Sequence, residues 1–168
     1  KETLIVVTAD HETGGIALGT GKYALNLKAL ENQKASAEVL SKKISDLRKA
    51  KNNHVAWEDI KNLLSEEMGF WSVLPITWEQ EKKLRDEYEK SFVRNKVEFA
   101  ESMYAKTEPM AAKAKEVMDQ IAMVGWTSGG HSAGYVPVFA IGAGSDLFIG
   151  KMDNTEIPKR IAKAGGYK

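Results

Sequence analysis

The chain opens on four apolar residues in a row, Leu4, Ile5, Val6 and Val7, set between polar flanks. The run is rich in β-branched residues, lacks alternation and is too short for a helix. It therefore predicts a strand buried on both faces of a mainly parallel sheet. Glycines at 14, 15, 19 and 21 mark turns around a second short strand, Ile16 to Leu18. From Tyr23 to Met123 the apolar period becomes helical. Val39, Leu40, Ile44 and Leu47 fall on one face of a helix that fades at Lys51-Asn52-Asn53-His54. Ile60, Leu63, Leu64 and Met68 define a second helix, stopped by Gly69. Thr77 with Gln80 predicts a capping box ahead of a long charged helix carrying Leu84, Tyr88, Phe92 and Phe99. Thr107 is the expected cap of the next, with Pro109 in its first turn and Met110, Ala114, Val117, Met118 and Ile121 at helical spacing. The aromatic residues of this region recur at helical spacing and read as core.

The remaining stretch returns to a strand-like pattern. Tyr135 to Ile141 is apolar, and Pro137, which cannot donate to a ladder, belongs near the strand's start or on an edge. Asn154 or Thr155 caps a closing helix that tolerates Pro158 in its first turn and ends at Gly165 and Gly166. The order is strand, helical excursion, strand, helix, with no internal repeat. The fold class is α/β. Residues 1–168 form a single fragment domain, in which sheet segments at 1–22 and 124–168 flank a helical insertion at 23–123.

Composition narrows the function classes. With 43% hydrophobic and 28% charged residues the chain is an ordinary globular polypeptide. A net charge of +1, from 24 basic and 23 acidic residues, gives no strong field toward nucleic acid or anionic lipid. The apolar runs are far too short to span a bilayer. Cysteine is absent, so disulfides and thiolate metal sites are excluded and any metal must take His, carboxylate or other oxygen ligands. The chain also enters its first strand almost at once, without an initiator Met, as expected of a piece of a longer protein.

The candidate chemistry lies at the strand ends. Asp10 and His11 follow the Leu4 to Val7 run, at the edge where open sheets place their ligand sites, and a carboxylate beside an imidazole is a competent zinc ligand pair. His131 sits in the glycine-dense loop Ser128-Gly129-Gly130-His131-Ser132-Ala133-Gly134, just before the second apolar strand. His54, between two expected helices, is a surface residue. Ser128, Ser132 and Thr8 lack a nucleophile elbow or a base partner and are read as hydrogen-bonding groups. Glu12 is open to reading as a ligand, as an acceptor behind an imidazole N–H or as a solvated side chain, and a local role is favoured. Asp10, His11 and His131 complete at most one three-ligand zinc site, and only if distant loops meet.

Together, "VVTADHETGG" and "GGHSAGYVPVFAIGAG" resemble the alkaline phosphatase family, specifically the C-terminal part of its bacterial members. The resemblance covers both ends of the chain; residues 23–123 match no motif of it. It implies the C-terminal part of an alkaline-phosphatase-like sheet and a metal-dependent hydrolysis of phosphate monoesters through a phosphoserine intermediate, with two zinc ions and a magnesium ion. By the same resemblance Asp10 and His11 are ligands of the zinc that holds the serine oxygen, and His131 is a ligand of the other. The family's H-T-G stands here as His131-Ser132-Ala133-Gly134, with the hydroxyl kept and the glycine displaced by one. No residue matches the family's serine nucleophile, its phosphate-binding arginine, the other zinc ligands or the magnesium-binding acids. These lie N-terminal to the T-A-D-H strand, so the fragment alone is expected to have little or no activity. The expected partners are a phosphate monoester and the N-terminal remainder of the enzyme. The location implied is periplasmic or secreted. An unpaired edge at residues 3–8 predicts self-association, with a homodimer as one form. Two rivals remain. One is another enzyme of the superfamily, a phosphoglycerate mutase, phosphodiesterase or sulfatase. The other is a non-enzymatic helical interaction module.

Overall fold

The computed structural model describes residues 2–21, 23–101 and 106–167. Residues 102–105, part of the stretch expected to be helical, lie outside them. In chain order the elements are β1 (Leu4–Val7), β2 (Ala17–Leu18), α1 (Ala37–Ala50), α2 (Trp57–Met68), α3 (Trp78–Tyr88), β3 (Ala100–Glu101), β4 (Lys106–Thr107), α4 (Pro109–Ala122), β5 (Val124–Gly125), β6 (Phe139–Gly142) and α5 (Glu156–Ala164). The chain is of mixed α/β class and divides into two units, Lys1–Gly15 with His131–Lys168, and Ile16–Gly130. No helix among the described residues is long and apolar enough to cross a membrane.

The first unit is built on an antiparallel ribbon. β1 pairs with β6 in the register Leu4↔Gly142, Ile5↔Ile141, Val6↔Ala140 and Val7↔Phe139. The expectation of a parallel sheet with β1 covered on both faces is corrected here. Leu4 and Val6 are half-buried on the side of a short 3-10 turn, Ser145–Phe148, whose Phe148 is buried. On the opposite side Ile5 (53% exposed), Val7 (57%), Phe139 (65%) and Ile141 (68%) stand open. An unbroken apolar run reports how many layers a strand can support, and only one layer lies over β1 among the described residues. Pro137 lies two residues before β6, where its missing N–H costs no ladder bond, and its carbonyl accepts from the Thr8 hydroxyl at 3.1 Å. Gly142 is obligatory. Its φ is +105°, and a Cβ there would lie 2.1 Å from the Thr3 carbonyl oxygen. Thr155, one of the two residues expected there, is the N-cap of the closing helix α5, though without a side-chain bond to the helix; Asp153 Oδ1 accepts from the Thr155 amide at 2.9 Å. The Arg160 guanidinium donates to the Leu147 carbonyl at 2.5 Å and ties α5 to the 3-10 turn.

The second unit is helical because its apolar residues recur at three- and four-residue steps. Leu40 and Ile44 of α1, Ile60, Leu64 and Met68 of α2, and Leu84 of α3 are buried with Met110, Ala114, Val117 and Met118 of α4. Apart from Ala114, each such side chain, once fully buried, contributes about 1.5–3 kcal/mol. Val39 is exposed, so the buried stripe of α1 is narrower than its sequence suggests. The expected ends hold for α2, where Gly69 takes the left-handed conformation (φ 70°), and for α3, where Thr77 and Gln80 exchange capping bonds.

Two helix ends differ from expectation. α3 passes into one wide π-type turn, Glu89–Val93, and Asn95 (φ 54°) takes the chain out of the helix, so Phe99 is not on it. An Asn tolerates the left-handed region that stops a helix, a feature periodicity does not register. The cap of α4 is Glu108, not Thr107, which lies in β4. Glu108 Oε2 accepts from the Met110 and Ala111 amides at 2.7 and 3.1 Å, and a carboxylate there meets both the free amides and the positive end of the helix. Glu108 is 1% exposed and paired with Arg48 of α1 at 3.0 Å. The Arg48 guanidinium also donates to the Ser91 carbonyl at 3.2 Å and lies 3.5 Å from the Phe92 ring centre. Burial pushes the Glu108 carboxyl above the ordinary glutamate range, with Arg48 and the two amides pulling against it. Two short ribbons complete this unit: β3 with β4, and β2 with β5, the latter in the register Ala17↔Gly125 and Leu18↔Val124.

Candidate metal centre

Antiparallel pairing decides where the candidate ligands fall. The carboxyl end of β1 lies beside the amino end of β6, since Val7 faces Phe139. The loop after β1, carrying Asp10 and His11, and the loop before β6, carrying His131, therefore belong to the same end of the ribbon.

The first loop is folded by its own polar groups. Asp10 Oδ1 accepts from the His11 amide at 3.0 Å, which turns the chain out of the strand. The His11 ring Nδ1 lies 2.8 Å from the Glu12 carbonyl oxygen. A carbonyl only accepts, so this contact places the proton on Nδ1 and leaves the lone pair on Nε2. That Nε2 is 3.6 Å from Asp10 Oδ2. Two atoms bound to one tetrahedral ion at about 2.0–2.2 Å lie roughly 3.3–3.6 Å apart, so the pair has the spacing of two ligands of a single zinc.

His131 is brought to the same place. Its ring stacks on that of His11 with centroids 3.5 Å apart and planes inclined by 21°. Asp10, His11 and His131 are all exposed. Among the described residues they do not form a group of three or more His, Cys, Asp or Glu side chains able to hold a metal ion. Two imidazoles and a carboxylate are competent donors for a divalent ion, and one pair, His11 and Asp10, stands 3.6 Å apart. His54 is exposed in the second unit, its Nδ1 2.9 Å from the Asn52 carbonyl.

Glu12 is the residue that sequence reasoning undervalued. Its Oε1 accepts from the Gly15 amide, the local role expected of it. Its Oε2 accepts from the Ser132 amide at 2.9 Å and from the Ser132 hydroxyl, across to the other loop. Ser132 is thus a hydrogen-bonding group, as read from the sequence. The one advance signal was adjacency: Glu12 follows His11 and Ser132 follows His131.

Similarity to known proteins runs along nearly the whole chain. The profile of the family described as Alkaline phosphatase matches residues 1–167. Alkaline phosphatase 3 of Bacillus subtilis (strain 168) is 31% identical over 178 residues, covering 99% of this chain and 31% of that protein. Alkaline phosphatase 4 of the same organism is 26% identical over 164 residues, covering 97% and 30%. The crystal structure of a cold-active alkaline phosphatase from a psychrophilic Shewanella sp. shares the fold, with a TM-score of 0.62 and 24% identity over 96% of this chain and 34% of that one. The chain thus spans about a third of the length of these relatives, and it belongs to the alkaline phosphatase family.

Proposed function

We propose that this chain is the C-terminal portion of a zinc-dependent phosphomonoesterase, in which Asp10 and His11 hold one ion and His131 holds its neighbour. One observation carries the reading: His11 and His131, far apart in sequence, stack at 3.5 Å. That contact brings one imidazole from each loop within reach of a pair of ions about 3.5–4 Å apart. When bound, such a pair supplies positive charge to both the attacking and the leaving oxygen of an in-line displacement at phosphorus. Asp10 offsets part of that charge, and the Glu12 carbonyl holds His11 with Nε2 available. The serine nucleophile and the acids for a magnesium ion are assigned to the remainder of the enzyme, so this chain alone has little or no activity. A periplasmic or secreted location follows from the same reading.

The test uses the longer protein with an aryl phosphate at alkaline pH. Chelation abolishes hydrolysis and added Zn²⁺ restores it. His131→Ala lowers kcat/KM by more than the roughly 10–100-fold typical of an outer-shell partner. Hydrolysis indifferent to chelator, or to His131→Ala, overturns the proposal.

The open face of Ile5, Val7, Phe139 and Ile141 supports a second expectation, for this chain produced alone. Four large apolar side chains side by side favour self-association. Light scattering is expected to show mass rising with concentration, and Ile141→Lys to suppress the rise. A monomer over a wide concentration range counts against it.

A further inference from the structure

We propose that Glu12 is the positioning residue that sets His11 and His131 at their mutual spacing, an inference that rests on the metal-centre reading above. Three features of one residue converge. The Glu12 backbone carbonyl engages His11 Nδ1 at 2.8 Å and fixes the rotation of that ring. One carboxylate oxygen takes the Gly15 amide and closes the first loop on itself. The other takes the amide and the hydroxyl of Ser132, the residue next to His131, and draws in the second loop. A carboxylate serving only as a turn cap would need the Gly15 contact alone.

The chemistry requires an acid. Three donors converge on two oxygens, and ionised Glu accepts at both ends. Glutamine has a single acceptor oxygen, so its NH₂ would face either the Gly15 or the Ser132 amide, donor against donor. Gly134 gives independent support, because a Cβ there would lie 3.0 Å from Glu12 Cγ. The displaced glycine of the His131-Ser132-Ala133-Gly134 loop leaves room for the glutamate stem.

The experiment measures Zn²⁺ affinity of the 168-residue chain by competition with a chromophoric chelator, alongside long-range ¹H–¹⁵N spectra of the imidazole rings. Glu12→Gln is expected to weaken zinc by about 10–100-fold and to change the His131 ring pattern, with an unchanged thermal midpoint for the helical unit. Ser132→Ala weakens zinc less, and Ser132→Thr, which restores the hydroxyl, returns it to wild type. Zinc affinity of Glu12→Gln within about threefold of wild type, or an unaltered His131 pattern, overturns the proposal. If Glu12→Gln does not fold, equal affinity of Ser132→Ala and Ser132→Thr overturns it. If the wild-type 168-residue chain binds no zinc, the ligands assigned to the remainder of the enzyme are required for affinity, and the metal reading is judged by chelation of the longer protein. The latch is then read without metal: Glu12→Gln must lose exchange protection at the Gly15 and Ser132 amides, and retained protection overturns it.

Discussion

Replacing Arg48 with alanine is expected to destabilise the helical unit by about 3–5 kcal/mol at neutral pH, the cost of leaving a buried charge without its partner. Glu108 is 1% exposed, so water cannot take over the role of the guanidinium. The same change removes the bond to the Ser91 carbonyl and the contact with Phe92. The effect has a defined pH dependence. Burial raises the folded-state value for Glu108, and Arg48 is one of the groups opposing that rise. Without Arg48 the folded value moves higher still above the unfolded one. Stability linked to this group is therefore fully present below the ordinary glutamate range and is lost as pH rises through the raised value. The gap between Arg48→Ala and wild type should narrow on acidification, with the carboxylates common to both chains cancelling. Urea unfolding of both chains across the acid range checks this, and a gap that widens toward low pH would refute it.

Gly142→Ala is expected to disrupt the other unit. A residue with a side chain at φ +105° carries strain of about 1–3 kcal/mol even in open space. Here the added carbon would lie 2.1 Å from the Thr3 carbonyl oxygen, a backbone atom that cannot rotate aside. That oxygen also accepts from the Ala143 amide at 3.1 Å, so relief of the overlap breaks the end of the β1–β6 pairing. Thermal unfolding should show the loss in the ribbon-containing unit, together with weakened Zn²⁺ binding. A midpoint equal to wild type would mean that the ribbon tolerates a shift at Thr3.

The difference between what was legible in advance and what was not follows the range of the interactions. The helices were readable because their apolar residues repeat locally, and Gly69 and the Thr77–Gln80 pair end or begin them through contacts within four residues. Glu108 was missed as a cap because its burial depends on Arg48, which comes from another helix. The early end of α3 turns on a single Asn conformation at residue 95. For β1, composition told that the residues are apolar but not how many layers cover them, and Ile5 and Val7 stand exposed. At the candidate site, motifs named Asp10, His11 and His131, each from its own short string. The bond from Ser132 to Glu12 joins the two strings and has no signature in either, since a glutamate beside turn glycines reads as an ordinary cap.

The ribbon of β2 with β5 bears on how this part of the molecule can vary. Ala17 faces Gly125 and Leu18 faces Val124, so the helical body begins and ends on neighbouring backbone, like a bag closed by a drawstring. Doubling the length of chain between two such anchored points adds only about 0.6 kcal/mol of closure entropy. Helices can therefore be gained, lost or exchanged beyond that neck with little entropic cost to closing it.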